Sequence, residues 1–190
     1  MKIGLYFGTY NPIHIGHLAI AGYMVEYADV DQVWFVVSPQ NPFKSRTNLL
    51  EDYHRLEMVN RAIEPYDKLR SSDIEFKLQK PSYTVHTLVA LQEKYPQHAF
   101  QLIMGEDNLS HFHKWRNHEE ILKMAQLLVY PRPGAETGPF HDHESVKMVQ
   151  APLMQISSTM IRKGVKEGVD TRYFMPKPAW DFMDEMNFYR

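Results

Sequence analysis

The strongest constraint on the fold is a regular alternation of short apolar runs with amphipathic segments along the 190 residues. Four runs are nearly continuous in β-branched, aromatic and leucine side chains, as expected for strands covered on both faces: residues 3–7, 33–37, 100–104 and 127–130. Residues 74–76 and 146–149 are weaker strand candidates. Helical patterns lie between the runs, at residues 17–27, 53–63, 85–95 and 119–124.

This order of elements predicts an α/β protein with a parallel sheet, because a helix after each strand can return the chain to the same end of the sheet. We therefore expect a Rossmann-like doubly wound parallel sheet. A final amphipathic segment at residues 180–188 is too short for a separate domain and predicts a short C-terminal helical extension. The length suits one substantial core, so residues 1–190 are expected to form a single domain.

Charge and composition exclude several functional classes. The chain has 21 lysines and arginines against 23 acidic residues, a formal net charge of -2, so it lacks the positive field that nucleic-acid backbones require. The absence of cysteine excludes disulfides, thiolate nucleophiles and sulfur-based zinc sites, and it fits a cytoplasmic protein. No apolar stretch approaches the roughly 20 residues of a spanning helix, and we expect neither a membrane span nor a signal peptide.

A candidate phosphate site follows the first strand, in the run Gly-Thr-Tyr-Asn-Pro-Ile-His-Ile-Gly-His at residues 8–17. His14 and His17 are three residues apart, so one helical turn can direct both imidazoles at one anion. Gly8 and Gly16 permit close approach of the backbone to a ligand, and the start of a helix offers free N–H groups. The alternative is a pair of surface histidines beside a turn. The combination at a strand-to-helix junction favours phosphate binding.

A second candidate site is the run Ile-Ser-Ser-Thr-Met-Ile-Arg at residues 156–162. Ser157 is a suitable N-cap, and Ser158 and Arg162 lie four residues apart on one helix face. An arginine in the first turns opposes the helix dipole at a cost of ~0.3–1 kcal/mol, which a bound anion would offset. The alternative is an ordinary serine-capped helix with an exposed arginine.

Both runs resemble signatures of one enzyme superfamily. The segment His-Ile-Gly-His at residues 14–17 is the motif after which a nucleotidyltransferase superfamily is named, and the fuller run resembles its nicotinate mononucleotide adenylyltransferase branch. Residues 156–162 are similar to the C-terminal signature of the same branch. The resemblance spans almost the whole chain. It implies the following ATP-binding residues: Gly8, Thr9, Tyr10, His14, His17, Lys44, Gly105, Asp107, Ile156, Ser157, Ser158, Thr159 and Arg162.

The resemblance also implies a binding site for the mononucleotide. Thr84 precedes a helix whose amides suit a carboxylate, Trp115 suits stacking on a pyridine ring, and Arg132 suits a phosphate. Asp107 follows a strand, where it suits ribose hydroxyls. Each residue has an ordinary alternative: a helix cap, a core tryptophan, a solvated arginine and a turn aspartate, respectively.

Three positions depart from the pattern of the branch. The chain has Phe7 where a second glycine is frequent, Asn11 where aspartate is frequent, and Phe43 where histidine is frequent. These substitutions leave the path of the first loop open but keep the histidine pair. Lys44 keeps its place as a candidate phosphate contact, the alternative being an exposed loop lysine.

The remaining histidines do not predict a metal site. His111, His113, His118, His141 and His143 match no standard zinc spacing, so we expect no protein-bound metal. The resemblance instead implies Mg²⁺ carried with ATP, held mainly by phosphates and water.

The implied reaction is adenylyl transfer from ATP to nicotinate mononucleotide, which gives deamido-NAD and pyrophosphate. His14, His17 and Arg162 are the expected catalytic residues. Two alternatives remain open: transfer to another phosphate, such as nicotinamide mononucleotide or phosphopantetheine, and a non-catalytic ATP-binding sensor. A nucleic-acid-binding module is disfavoured by the charge. Oligomeric state is not indicated by the sequence.

Overall fold

The predicted alternation of strands and helices forms one parallel sheet in the computed structural model, which describes residues 1–39 and 49–190. The sheet contains six strands in the order β3-β2-β1-β4-β5-β6, and every neighbouring pair is parallel. The strands are β1 (Lys2–Gly8), β2 (Gln32–Val37), β3 (Leu69–Ser72), β4 (Ala99–Gly105), β5 (Gln126–Tyr130) and β6 (Val146–Met148). This order is that of the doubly wound Rossmann-like folds, as predicted.

One predicted strand is wrong. Residues 74–76 lie in a 3₁₀ turn, Ile74–Lys77, and the strand that pairs with β2 is the preceding Leu69–Ser72. That strand has the sequence Leu-Arg-Ser-Ser and lies at the edge of the sheet, where it pairs with a strand on one side only. Edge strands can be polar, so its apolar signal is weak. Ile74 is buried because the turn packs beneath the sheet, so its apolar character marks packing rather than a strand.

The helices agree closely with the predicted segments: those between the strands begin one or two residues earlier, and the C-terminal helix spans residues 177–185 instead of 180–188. They are α1 (Ile15–Tyr27), α2 (Asp52–Ile63), α3 (Thr84–Lys94), α4 (Glu106–Leu109), α5 (His118–Met124), α6 (Ser158–Lys166) and α7 (Lys177–Glu185). The C-terminal extension is confirmed as α7, which packs on α2. No helix in the described part of the chain is long and apolar enough to cross a membrane.

Side-chain alternation along each strand produces two cores, one on each face of the sheet. Along β1, Ile3 and Leu5 enter the core beneath α3 and α5, whereas Tyr6 enters the core beneath α1 and α2. Strand β2 divides in the same way, with Trp34 on one face and Phe35 on the other. Coverage on both faces explains why the inner strands are apolar throughout.

The direction of strand order reverses between β1 and β4, which are adjacent in the sheet. In open α/β sheets the loops that leave two such strands diverge and create a crevice at their carboxyl ends. Gly8 ends β1 and Gly105 ends β4, so both predicted glycines stand at this crevice.

Candidate active site

The loop after β1 is shaped by the ring of Tyr10. Tyr10 adopts a left-handed backbone conformation with φ of 47°, and its side chain is only 2% exposed. A Cβ atom on Gly8 would lie 2.9 Å from that ring, so Gly8 is needed because Tyr10 fills the space. The sequence predicted that Gly8 permits close approach of the backbone to a ligand, and the packing of Tyr10 is a further reason for a glycine there. Because the Tyr10 ring is buried in the core, Tyr10 can contact a ligand only through its backbone.

The two predicted histidines lie side by side at the start of α1. Their rings stack with centroids 3.7 Å apart, and His14 is the N-cap residue. The backbone N–H of His14 donates to Nδ1 of His17 at 3.2 Å, so in the neutral ring the proton of His17 sits on Nε2. A Cβ atom on Gly16 would lie only 3.0 Å from the His14 ring, so any larger residue would crowd that ring.

His14 is held in its neutral form by its surroundings. Burial, followed by the nearby positive charge of Arg132, lowers the pKa of His14 to about 4. Within residues 1–39 and 49–190, its buried Nδ1 has no hydrogen-bond partner, and the same is true of Nε of Arg132. The unsatisfied Nε–H of Arg132 favours a bound anion, which would accept a bond from it.

The start of α6 contacts the loop that carries the histidines. Ser158 Oγ donates to the carbonyl of Pro12 at 2.8 Å, and Arg162 Nη1 donates to the carbonyl of Asn11 at 2.7 Å. Ser157 caps the helix by accepting from the N–H of Met160, as predicted. The two sequence runs therefore come together in space. We name the group His14, His17, Ser158 and Arg162 the phosphate wall, after the phosphate contact that the sequence predicts for it.

The charge of Arg162 is not neutralised by a carboxylate in the described part of the chain. Besides Asn11, its guanidinium donates to Thr159 Oγ1 at 3.3 Å, and the ion pairs of residues 1–39 and 49–190 do not include it. A cation that binds only carbonyl and hydroxyl oxygens keeps its full attraction for an anion.

Arg132 lies on the same side of the crevice as the histidines. Its guanidinium donates to the carbonyl of Met154 at 3.3 Å and to the hydroxyl of Tyr130 at 3.4 Å, and it lies 3.7 Å from the carboxylate of Asp107. A Cβ atom on Gly105 would overlap the Asp107 carboxylate and lie 3.1 Å from the Arg132 side chain. A small pocket is lined by Tyr6, His14, Gly16, His17, Ile20, Tyr130, Pro131, Arg132, Met154 and Ile156.

Thr84 and Trp115, two residues predicted to bind the mononucleotide, lie apart from that pocket. Thr84 is the first residue of α3, and Trp115 follows a 3₁₀ turn and packs half-buried against Phe112 with ring centroids 5.4 Å apart. Neither lines the pocket of the histidines. Lys44 and Phe43 lie outside the described residues.

Sequence reasoning missed a buried arginine that connects the loops of the crevice. Arg55 on α2 is fully buried and forms an ion pair with Asp52 at 2.6 Å. Burial lowers the pKa of its guanidinium, and Asp52 opposes that shift. It donates to four carbonyls at 2.6–3.1 Å, those of Thr9, Ser38, Pro39 and Leu50. The only sequence signal is its position on the apolar face that includes Met58 and Val59.

A buried glutamate was also missed. Glu75 is 2% exposed and accepts hydrogen bonds from Thr87 Oγ1 at 2.8 Å and Ser82 Oγ at 3.1 Å. Burial raises the pKa of its carboxyl group, while bonds from Thr87, Ser38 and Ser82 act in the opposite direction. Glu75 thereby ties the start of α3, and hence Thr84, to the end of β2.

These features define the class of protein. A parallel sheet of this strand order carries a phosphate wall at its switch point, built from a histidine pair, a helix start and an arginine. That combination of fold and site is that of a nucleotidyltransferase.

Comparison with known proteins identifies the family. The description "Cytidylyltransferase-like" belongs to a family model that matches residues 5–164. A Flavobacterium johnsoniae protein named "Probable nicotinate-nucleotide adenylyltransferase" is 54% identical over all of both chains. A Bacteroides thetaiotaomicron protein of the same name is 47% identical over 97% of this chain and 92% of its own. The chain belongs to the cytidylyltransferase-like family and, within it, to the nicotinate-nucleotide adenylyltransferases.

A solved structure supports the fold. The Plasmodium falciparum nicotinic acid mononucleotide adenylyltransferase, complexed with NaAD, superimposes with a TM-score of 0.81 over 99% of this chain and 97% of its own. Only 19% of residues are identical in that comparison, so the sheet and its helices persist where most side chains have changed.

Proposed function

We propose that this enzyme transfers the adenylyl group of ATP to nicotinate mononucleotide and releases pyrophosphate, as a step of NAD biosynthesis. The observation that carries the proposal is the phosphate wall, in which a hydrogen bond between Arg162 and Asn11, 151 positions apart, joins the start of α6 to the loop of the histidines. Residues 1–190 act as one nucleotidyltransferase domain, because a single sheet supports both motifs. The relatives named for this reaction share about half of all residues with the chain.

The chemistry needs no general base. The second pKa of a phosphate monoester is about 6, so the mononucleotide phosphate is largely dianionic at neutral pH. One of its oxygens attacks the α-phosphorus of ATP, the bond between that phosphorus and the α,β-bridging oxygen breaks, and pyrophosphate leaves with the electron pair. The barrier arises from bringing two anions together and from charge that develops on the leaving group. Catalysis is therefore positioning and electrostatic stabilisation.

Each member of the phosphate wall has a distinct role in this scheme. The Nε2–H of His17 donates to a phosphate oxygen, since Nδ1 is occupied by the backbone of the loop. His14 is neutral in the unliganded protein, and the negative charge of bound ATP raises its pKa and favours a second donor. Arg162 and the start of α6 stabilise the β and γ phosphates.

The surrounding residues complete the ATP site. Gly8, Thr9 and Tyr10 contribute backbone groups, and Gly105 with Asp107 receives the ribose. Ile156 lines the pocket beside the histidines, and Ser157 and Thr159 flank Ser158 at the start of α6. Lys44 is an additional phosphate ligand in the proposal.

Magnesium accompanies ATP in this proposal. Mg²⁺ is usually held by phosphate oxygens, water and one or two carboxylates, so it does not need a protein cage. Within residues 1–39 and 49–190, no group of three or more histidine, aspartate or glutamate side chains is arranged to hold a metal. The ion supplies charge neutralisation of the triphosphate when bound.

Nicotinate mononucleotide occupies the other side of the crevice. The N-terminus of α3 at Thr84 accepts the nicotinate carboxylate, and Trp115 stacks on the ring. We name Thr84 and Trp115 the pyridine wall. Arg132 holds the mononucleotide phosphate, a role that fits its half-buried position beside His14 because the two reacting phosphates must meet there. The reaction takes place in the cytoplasm in this proposal.

The decisive experiment compares acceptors. The protein is incubated with ATP, Mg²⁺ and either nicotinate mononucleotide, nicotinamide mononucleotide or phosphopantetheine, and both pyrophosphate and the adenylylated product are measured. We expect the highest turnover with nicotinate mononucleotide. Faster turnover with another acceptor would reassign the substrate, and ATP binding without pyrophosphate release from any acceptor would leave a sensor.

A further inference from the structure

The segment that follows α7 returns to the loop of the first motif. The hydroxyl of Tyr189 donates to the side-chain oxygen of Asn11, 178 positions earlier in the chain, at 2.5 Å. The backbone N–H of Leu50 donates to the same oxygen at 3.3 Å. Asn11 is only 6% exposed, so these contacts lie within the protein beneath the crevice.

Asn11 connects Tyr189 to the phosphate wall. While its side chain accepts from Tyr189, its main-chain carbonyl accepts from Arg162 at 2.7 Å. The position of Asn11 therefore depends on its hydrogen bond from Tyr189, and it determines the hydrogen bond that Asn11 accepts from Arg162. A shift of the Asn11 peptide would change the direction in which the remaining N–H groups of Arg162 point.

The backbone after α7 is constrained to make this contact. Asn187 and Tyr189 have φ values of 54° and 67°, the left-handed region that residues other than glycine seldom adopt. Such conformations persist where the surroundings hold them. Phe188, between them, packs against His54 on α2 and against Phe182 on α7, with ring centroids 4.9 and 5.7 Å apart.

The hydroxyl of Tyr189 remains a donor at any pH used for assays. Burial raises the pKa of Tyr189 far above its usual value, although the positive charges of Arg162 and Arg55 oppose that shift. The phenol is therefore neutral and keeps its proton. Asn11 offers it a neutral amide oxygen as the acceptor.

We propose that Tyr189 is a positioning residue for adenylyl transfer, which acts through Asn11 to orient Arg162. The inference rests on the proposed function, since it assigns Arg162 to the departing phosphates. Tyr189 fixes a group that stabilises charge in the transition state, so its loss lowers turnover and leaves the affinity for both substrates nearly unchanged.

The test compares Tyr189→Phe with Tyr173→Phe, a matched control whose side chain is 77% exposed. We expect kcat of Tyr189→Phe to fall about 5- to 10-fold, the effect of one misplaced hydrogen bond, with both KM values within about two-fold of wild type. Tyr173→Phe should match the wild type. Equal kcat values for the two variants would overturn the proposal.

A double-mutant cycle distinguishes positioning from general support of the fold. In an Arg162→Lys background, which lacks the planar fork, Tyr189→Phe should lower kcat by less than two-fold, because the residue it orients is already altered. An unchanged 5- to 10-fold loss in that background would mean that Tyr189 acts by another route, and the proposal would be wrong. If the wild type forms no dinucleotide, the proposed function fails first and the inference with it. If the wild type is active, only the inference is at risk.

Discussion

The phosphate wall and the pyridine wall are built by different means. The first joins two distant segments by direct side-chain to main-chain hydrogen bonds, from Ser158 to Pro12 and from Arg162 to Asn11. The second consists of Thr84 and Trp115, two half-exposed residues on separate elements. Glu75 accepts hydrogen bonds from Ser82 and Thr87 and so stabilises the start of α3, where Thr84 lies.

The difference follows from what each wall is proposed to do. Charge develops on the departing pyrophosphate, and donors aimed at it lower the barrier only when they are fixed before the reaction. The pyridine ring undergoes no chemical change, so its wall has only to hold it in place. We therefore expect changes in the phosphate wall to reduce turnover and changes in the pyridine wall to alter KM for the mononucleotide.

The largest effect is expected from His17→Ala. Removal of a transition-state donor commonly costs ~10²–10³ in rate, and affinity for ATP should change far less because Arg162 and the start of α6 remain. Single-turnover and steady-state assays with ATP and nicotinate mononucleotide measure it. His113→Ala, at an exposed position, is the control. Turnover within three-fold of wild type would remove His17 from the mechanism.

The next effect concerns stability and pH. The folded protein lowers the pKa of His14 from 6.5 to about 4, so the unfolded chain binds more protons than the folded one between those values. Stability is therefore lost as the pH falls from 7.5 to 5, by about 2 kcal/mol from this residue. Urea unfolding of the wild type and of His14→Gln at both pH values isolates this contribution.

His113→Gln is the matched control for that measurement, since its side chain is exposed. It should show the same pH dependence as the wild type. An equal loss of stability in His14→Gln and the wild type would contradict the proposed neutral state of His14. Saturating ATP should reduce the difference, because a bound triphosphate favours the protonated ring.

A smaller effect is expected in the pyridine wall. Trp115→Ala should raise KM for nicotinate mononucleotide about 10-fold, the approximate value of one stacking contact, with kcat and KM for ATP little changed. Trp115→Phe keeps an aromatic face and should recover most of the loss. A fall in kcat with unchanged KM in the alanine variant would contradict the expectation that the pyridine wall affects substrate binding and the phosphate wall affects turnover.

The smallest effect should come from Glu75→Gln. Burial raises the pKa of Glu75, so the folded protein binds more protons than the unfolded chain above the usual carboxyl pKa. The stability that protonated Glu75 contributes at low pH is lost as the pH rises through the pKa of Glu75 in the folded protein. Relative to the glutamine variant, the wild type should become less stable from pH 5 to pH 8. Glu93→Gln, at an exposed position on α3, the helix whose Thr87 contacts Glu75, should not change the slope.

The sequence predicted the elements whose signals are local. Apolar runs located the inner strands because both faces of those strands are covered, and spacing located the histidine pair. β3 was missed because an edge strand can be polar, and the Tyr10 ring beside Gly8 was missed because it reaches the glycine through a left-handed turn. Such contacts depend on tertiary packing that no window of sequence contains.

The sequence also gave no prediction of the two buried charged residues, Arg55 and Glu75. Arg55 and Glu75 lie in segments whose composition gives no sign that a charge is enclosed, since arginine and glutamate are usually solvated. Only their partners, main-chain carbonyls and hydroxyls from other parts of the chain, make burial favourable.

The four carbonyl contacts of Arg55 have a consequence for mutation. Two of them, to Pro39 and Leu50, stand on either side of residues 40–48, and a third secures Thr9 beside the histidines. One guanidinium thus joins three separate segments, so a single replacement of Arg55 should loosen all of them together. The loss of activity would then spread over every part of the crevice instead of one step of the reaction.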